Sequence, residues 1–331
     1  MAIHQYNSRS EKLEQRKLAT VRDVSLRTGI IFKGCKMPLG DLPESFNQFQ
    51  WVWIPGWFLT LVGIIGNAMV IYLIAAKRRL RTQVNVFILS LAVADLCFSL
   101  CYFPAFFTCE FYLTCDRQLR KIFAAYFAYT SLTNLCVLTA DRYVAIVMPF
   151  KYVSFVTSRC VVTMVILSWL FPAVFYFLVA ITLKQITSED AVTTFRILTV
   201  LLFQLVPCFS LLLATTQMFY IAYKHSKKMT SLVSQLQFNH PFPHRKQKDG
   251  FEISSARLVS LVVFVLVVCY TTDSYFDLRT NFSAFHKSIV TDYVICLLYI
   301  TNSVFNPLSY ALLKHDIKKE VKRLFFSKEK P

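Results

Sequence analysis

The stretch Val84-Asn85-Val86-Phe87-Ile88-Leu89-Ser90-Leu91-Ala92-Val93-Ala94-Asp95-Leu96-Cys97-Phe98-Ser99-Leu100 is apolar apart from a few small polar residues and one carboxylate. Asp95 is the only charge between Arg81 and Glu110. A run of roughly 20 mostly apolar residues is long enough to cross a bilayer as a helix. Backbone in lipid must satisfy its own hydrogen bonds, so such runs are read as helices rather than isolated strands.

The same pattern recurs along the chain. No charge lies between Glu44 and Lys77, Lys121 and Asp141, Arg159 and Lys184, Arg196 and Lys224, Arg257 and Asp273, or Asp292 and Lys314. With the Asp95 run, these give seven spans, at about residues 51–76, 86–108, 118–143, 159–182, 196–223, 254–277 and 288–311. The expected fold is therefore all-α, a seven-helix bundle over 51–312. Residues 1–50 form an outer tail, and residues 313–331 form an amphipathic helix and an inner tail. The 331 residues are 55% hydrophobic and only 17% charged, against about 25% charge in an average soluble domain. The net charge of +17 does not indicate nucleic acid, because the bases fall between the apolar runs.

Those bases set the orientation. Lys77, Arg78, Arg79 and Arg81 follow the first span, Lys151 and Arg159 the third, and Lys224, Lys227, Lys228, Arg245, Lys246 and Lys248 the fifth. Lys318, Lys319, Lys322 and Arg323 follow the seventh. Excess Lys and Arg marks the cytoplasmic side, so the amino terminus is expected outside and the carboxyl terminus inside. The same bases are expected to hold anionic lipid. Residues 1–36 resist this scheme, being basic and without a signal-peptide core. Two readings stand: translation starts at Met37, or later helices dictate topology. Terminal mass spectrometry separates them.

Charged and amide side chains at membrane depth are functional candidates. Asp95 sits at mid-span, and Asn67, Ser131, Asn302, Ser303 and Asn306 fall at similar depth. Asn302 and Asn306 are one turn apart and share a face. Oxygen ligands around one carboxylate suit a small hard cation; a satisfied hydrogen-bond network without an ion is the other reading. The third span ends in Asp141-Arg142-Tyr143, followed by Pro149-Phe150. The seventh carries Asn306-Pro307-Leu308-Ser309-Tyr310. After it, Ile317, Val321, Leu324, Phe325 and Phe326 recur among bases at helical spacing, as an amphipathic helix on a membrane surface does. Asn281-Phe282-Ser283 is an N-glycosylation sequon.

Taken together, these residues resemble the rhodopsin-like (class A) G-protein-coupled receptors over about residues 51–326. The matching positions are Gly66-Asn67, Leu91 to Asp95, Asp141-Arg142-Tyr143, Trp169, Pro207, Asn302-Ser303 and Asn306 to Tyr310. The resemblance implies a plasma-membrane receptor, not an enzyme, whose partners are an extracellular ligand, a heterotrimeric G protein and membrane lipid. It implies that Asp141, Arg142, Tyr143, Pro149, Phe150, Tyr270, Asn306, Pro307 and Tyr310 form the activation and coupling machinery. Glu252 is the implied acidic partner that locks Arg142. Asp95, Ser131, Asn67, Asn302, Ser303 and Asn306 are the implied sodium pocket, with no organic cofactor.

The departures are specific. Where the family reads Cys-Trp-x-Pro in the sixth span, this chain reads Cys269-Tyr270-Thr271-Thr272. Leu266 replaces a phenylalanine and Thr215 a tyrosine. Arg117 stands where the family has its third-span cysteine, and no cysteine lies at 183–195. Cys35 with Cys109 or Cys115, or Cys109 with Cys115, remain as pairings. Aminergic members place an aspartate where Ala124 stands, and opsins a lysine where Ile300 stands. Ligand contacts are therefore expected from Ala124, Ala128, Tyr129, Tyr270, Asp273 and Tyr293, for a small peptide or another non-aminergic ligand. The alternatives are a receptor-fold protein with lost signalling and, behind it, an ion-conducting or transport protein.

Overall fold

A computed structural model describes residues 49–111, 116–185, 189–239, 249–282 and 288–326. Among these the structure is helical, with seven helices long and apolar enough to cross a membrane. The first span is Gln50–Ala76, the second Gln83–Phe111, the third Arg117–Val147 and the fourth Ser158–Gln185. The fifth starts as Glu189–Val200, passes through a π turn at Leu201–Leu205 and continues as Val206–Asn239. The sixth is Asp249–Phe282 and the seventh Ile289–Leu313.

Several helices run beyond their expected ends. Lys184 lies in the fourth helix, Glu189 opens the fifth, and Lys224, Lys227 and Lys228 continue it. Charged side chains mark the bilayer edge but do not end a helix, because Lys and Glu are good helix formers. Caps do end them: Ser288 Oγ accepts from Thr291 N at 3.2 Å to start the seventh. A short helix, Pro149–Phe155, follows the third span, with Pro149 at its first turn. The sixth span lacks an internal proline and is one uninterrupted helix, as expected without the proline kink.

Neighbour relations close the bundle. The first span packs on the second and seventh, the sixth on the fifth and seventh, and the third on the second, fourth and fifth. The first span shows the logic of burial. Trp53, Gly56, Thr60, Gly63, Asn67, Val70 and Ile74 are buried at intervals of three and four, with Val52 and Leu73 beside them. Ile54, Phe58, Leu61, Ile65 and Tyr72 are exposed and form a lipid-facing stripe. Small residues allow close approach between membrane helices. A Cβ on Gly56 would overlap the Phe103 ring, and one on Gly66 would lie 2.9 Å from Pro307 Cγ.

The terminal helix, His315–Phe326, buries Ile317 and Glu320. Glu320 accepts from Arg79 Nη2 at 2.6 Å and Arg323 Nη1 at 2.9 Å. The amphipathic pattern is as expected, but the acid inside it is an addition. Arg79 and Arg323, two of the bases expected to face anionic lipid, are thus paired with an acid of the same end of the bundle.

Candidate functional site

The polar column expected around Asp95 is assembled. Asp95 is 1% exposed. Ser131 Oγ donates to its Oδ1 at 2.6 Å, and Asn306 Nδ2 donates to its Oδ2 at 2.5 Å. Ser303 Oγ donates to the Asp95 carbonyl at 3.1 Å. Asn67 Nδ2 donates to the Gly63 carbonyl at 2.9 Å and the Ser303 carbonyl at 3.3 Å. The column thus ties the first, second, third and seventh spans together. Below it, Ser309 Oγ and the Tyr310 hydroxyl are buried with no partner among the described residues, as are the Oδ1 atoms of Asn67, Asn302 and Asn306. A buried polar atom left unpaired costs about 1–3 kcal/mol. These oxygens therefore suit water or a small cation beside the carboxylate.

A second polar set was not read from the sequence. Trp169 Nε1 donates to Ser90 Oγ at 2.9 Å, and Ser90 Oγ donates to Asn134 Oδ1 at 2.6 Å. Ser168 Oγ donates to the same oxygen at 3.0 Å. Trp169 is thus a strut joining the second, third and fourth spans.

At the end of the third span, Asp141 is 3% exposed. It accepts from Arg142 Nε at 2.9 Å and Nη2 at 2.5 Å. Tyr152, in the short helix, donates to Asp141 Oδ1 at 3.0 Å and accepts from Arg142 Nη2 at 3.3 Å. Tyr152 had no signal of its own; only the short helix brings it back. Burial first, and then the Asp141 charge, push its phenol up, so it stays a donor at neutral pH. Tyr143 donates to Gln217 Oε1 of the fifth span at 2.7 Å. Phe150 is almost fully exposed. The side chain of Glu252 lies outside the described residues, so Arg142 is seen with Asp141 and Tyr152 alone.

Lys314 sits where the seventh span meets the terminal helix. Its Nζ donates to Asn85 Oδ1, and Asn85 Nδ2 donates to the Leu80 carbonyl at 2.6 Å. Burial, then the nearby Arg142 charge, push the Lys314 amine down to about 8. A lysine with a lowered folded-state value binds fewer protons folded than unfolded between pH 8 and 10.5. Stability therefore rises with pH across that window. The thermal midpoint of Lys314→Met in detergent should lack the part of this rise that the native chain shows from pH 8 to 10.

Toward the opposite end, Asp273 is buried and points inward, one turn from Cys269. Tyr299 donates to its Oδ2 at 2.7 Å, and Gln204 Nε2 donates at 3.3 Å. Gln204 also donates to the Tyr129 hydroxyl at 2.9 Å, while Ser274 donates to Gln204 Oε1 at 2.5 Å. Tyr270 donates across to the Ala128 carbonyl of the third span at 3.0 Å. Tyr129 stacks 5.7 Å from Tyr176, and Tyr270 sits edge-on to Tyr299 at 5.2 Å. One glutamine of the fifth span thus joins the third and sixth spans around a carboxylate that the seventh also holds. Tyr129, Tyr270 and Asp273 belong to this set, Ala128 contributes its carbonyl, and Ala124 is half-buried on the same helix.

Tyr293 goes elsewhere. It donates to Glu110 at 3.2 Å and packs edge-on against Trp53 at 5.4 Å. Tyr275 is exposed on the outside of the bundle, its hydroxyl accepting from Arg279 Nη1 at 3.0 Å. Cys109 is disulfide-bonded. The other cysteines among the described residues are free, so its partner lies outside them, where Cys35 and Cys115 are. Met37 and the Asn281 side chain also lie outside what is described.

The bundle and its polar column define a class. Residues 66–310 match the 7 transmembrane receptor (rhodopsin family), and the chain belongs to that family. It is a multi-pass protein of the plasma membrane and a receptor by family, not an enzyme. The octopamine receptor beta-1R of Drosophila melanogaster is 36% identical over 130 residues, 37% of this chain and 25% of that receptor. The octopamine receptor beta-2R of Chilo suppressalis is 23% identical over 80% of this chain and 76% of that one. Melanopsin-B of Gadus morhua is 21% identical over 82% of this chain and 48% of that protein.

Proposed function

We propose that the chain couples an extracellular ligand to heterotrimeric G proteins, with its amino terminus outside and its Arg142 end in the cytoplasm. The observation that carries this is the Asp141–Arg142–Tyr152 cluster. A buried carboxylate holds a guanidinium at the end of the third span, beside an exposed Phe150. Such a pair can open and offer Arg142 to a partner, and the family resemblance makes Glu252 the second acid that would hold it back. Activation is a population shift between two bundle arrangements. In the resting one, the Gln204 network ties the sixth span to the third, fifth and seventh. In the active one the sixth span swings away. Without a proline hinge, that movement requires the network to break as a unit.

The ligand reading follows from the same residues. Asp273 and Glu110 favour a cationic group, and the surrounding tyrosines can add cation–π attraction. Ala124 removes the third-span aspartate on which aminergic receptors rely, so the octopamine receptors' ligand does not transfer. Ile300 offers no amine for a retinal Schiff base. A small peptide with a basic residue fits better. A sodium ion at Asp95, held with Ser131 and the amide oxygens of Asn67, Asn302 and Asn306, would steady the resting arrangement.

The test is basal activation of the four Gα classes in transfected cells at matched surface level. Arg142→Ala should silence the signal and Glu252→Ala should raise it. Tyr152→Phe, which frees part of Asp141, should shift it by about tenfold or more, the effect of one hydrogen bond to a charged group. Silence in native and all variant chains, with a ligand-independent assay known to respond, would favour the reading in which the altered sixth span no longer switches.

A further inference from the structure

Arg120 lies in the third span, one turn before Ala124 and two turns before Ala128. It is half-buried, and its guanidinium carbon stands 4.9 Å from the centre of the Phe106 ring in the second span. The Arg120 charge acts on the Tyr102 hydroxyl and on the thiol of buried Cys296 in the seventh span. The side chain therefore reaches in among the helices, whereas Asp116 and Asp292 at the same end are exposed. Tyr102 in turn meets Tyr299, with ring centres 6.2 Å apart, and Tyr299 donates to Asp273 at 2.7 Å. A cation and an anion thus stand at the two ends of one tyrosine pair.

We propose that this end of the bundle binds a short zwitterionic peptide, whose carboxylate is taken by Arg120 and whose ammonium is taken by Asp273. The inference rests on the reading of Asp273 as the partner of a ligand cation, and it adds the second charge. A guanidinium carries five N–H donors in a planar fork that matches a carboxylate, so Arg120 can serve more than one acceptor while it lies over Phe106. A ligand with a cation alone meets Arg120 as a like charge, and a ligand with an anion alone meets Asp273 as one. Like-charge contacts reject a partner, and only a ligand with both charges avoids them. Length follows from the tyrosine pair. One ring contact of 6.2 Å bridges the two charges, and an extended residue reaches about 3.5 Å, so two or three residues span the distance. On the third span, the face between carries only Ala124 and Ala128, which add little bulk. The tyrosine faces can assist the ammonium.

The experiment uses the full chain in nanodiscs of neutral phospholipid. The probes are dipeptides and tripeptides that contain lysine or arginine, each as the free acid and as the carboxyl-terminal amide. Binding is read from the rise in thermal midpoint that any ligand of the folded state produces, and Kd from its concentration dependence. At least one free acid should bind, and its amide should bind about tenfold or more weakly, the effect of one hydrogen bond to a charged group. Arg120→Gln should bring acid and amide to the same Kd. Arg120→Lys keeps the cation and should hold most of the difference. Asp273→Asn should weaken acid and amide alike. Tyr275→Phe, on the outside of the bundle, should change nothing. No binder in the set, an amide that binds as well as its acid, or an acid preference that survives Arg120→Gln in a chain with native midpoint would each overturn the proposal. Signalling has no part in this readout. Binding by a chain silent toward all four Gα classes would overturn the coupling and leave this site standing, and binding indifferent to the carboxylate in a signalling chain would do the reverse.

Discussion

Ligand-independent signalling by Gln204→Leu should exceed that of the native chain by about tenfold at equal surface level. Gln204 is 2% exposed and holds three groups at once: the Tyr129 hydroxyl, the Asp273 carboxylate and the Ser274 hydroxyl. Leucine fills similar space and returns none of those bonds. A net hydrogen bond contributes about 0.5–1.5 kcal/mol, and about 1.4 kcal/mol is a factor of ten in an equilibrium. Losing three bonds, even with partial compensation, moves the balance between arrangements by at least that factor. Tyr129→Phe removes one of the three and should move it less. The readout is basal nucleotide exchange on the responsive Gα. An unchanged basal level in Gln204→Leu would show that the network is shared by both arrangements and does not restrain the sixth span.

Gly66→Val should remove most of the protein from the cell surface. A Cβ at Gly66 meets Pro307 Cγ at 2.9 Å and Cβ at 3.0 Å, and the proline ring has no rotamer by which to yield. The first and seventh spans must part. That strains the Asn67 bond to the Ser303 carbonyl and the Asn306 bond to Asp95. Overpacking costs typically about 1–3 kcal/mol, a large share of the about 5–15 kcal/mol that keeps a domain folded. Gly63→Ala offers the contrast. Its Cβ meets Ser99 Oγ at 2.8 Å, a hydroxyl that can rotate aside, so surface level should fall far less. Flow cytometry of tagged chains and the thermal midpoint of the purified variants decide it. Equal behaviour of the two substitutions would refute the close-contact argument.

The spans and the Asp95 column were legible because lipid makes polar residues conspicuous. An asparagine or aspartate in an apolar run has to face inward, and similar depth then implies contact. Helix ends were less legible, since Lys184 and Lys224 mark where the membrane stops rather than where the helix does. Gln204 and Tyr299 were missed for a different reason. Tyr299 is one aromatic among many, and the face that Gln204 presents depends on a local change of helical register that residue type does not announce. Tyr152 and Glu320 were missed because their partners, Asp141 and Arg79, are brought near only by the folding back of two short helices. Asp273, expected among the ligand contacts, faces inward, as a carboxylate in an apolar run must.

That change of register lies at the π turn, Leu201–Leu205, where Val206 N bonds back to the Leu201 carbonyl. Such a turn takes up one residue more than an α-helical turn would. One residue of α-helix corresponds to about 100° of rotation, so everything on the outer side of the turn is out of phase with the inner side. Phe203 and Gln204 are buried as a result, although Leu201, Leu202 and Val206 around them face lipid. The fifth span therefore reads as two helices with separate azimuths, spliced at one point. Its outer portion could be re-aimed by a single deletion or insertion there, while the contacts from Cys208 downward kept their setting. The outer half of the fifth span can thus change its facing by an edit of one codon while the inner half keeps its own.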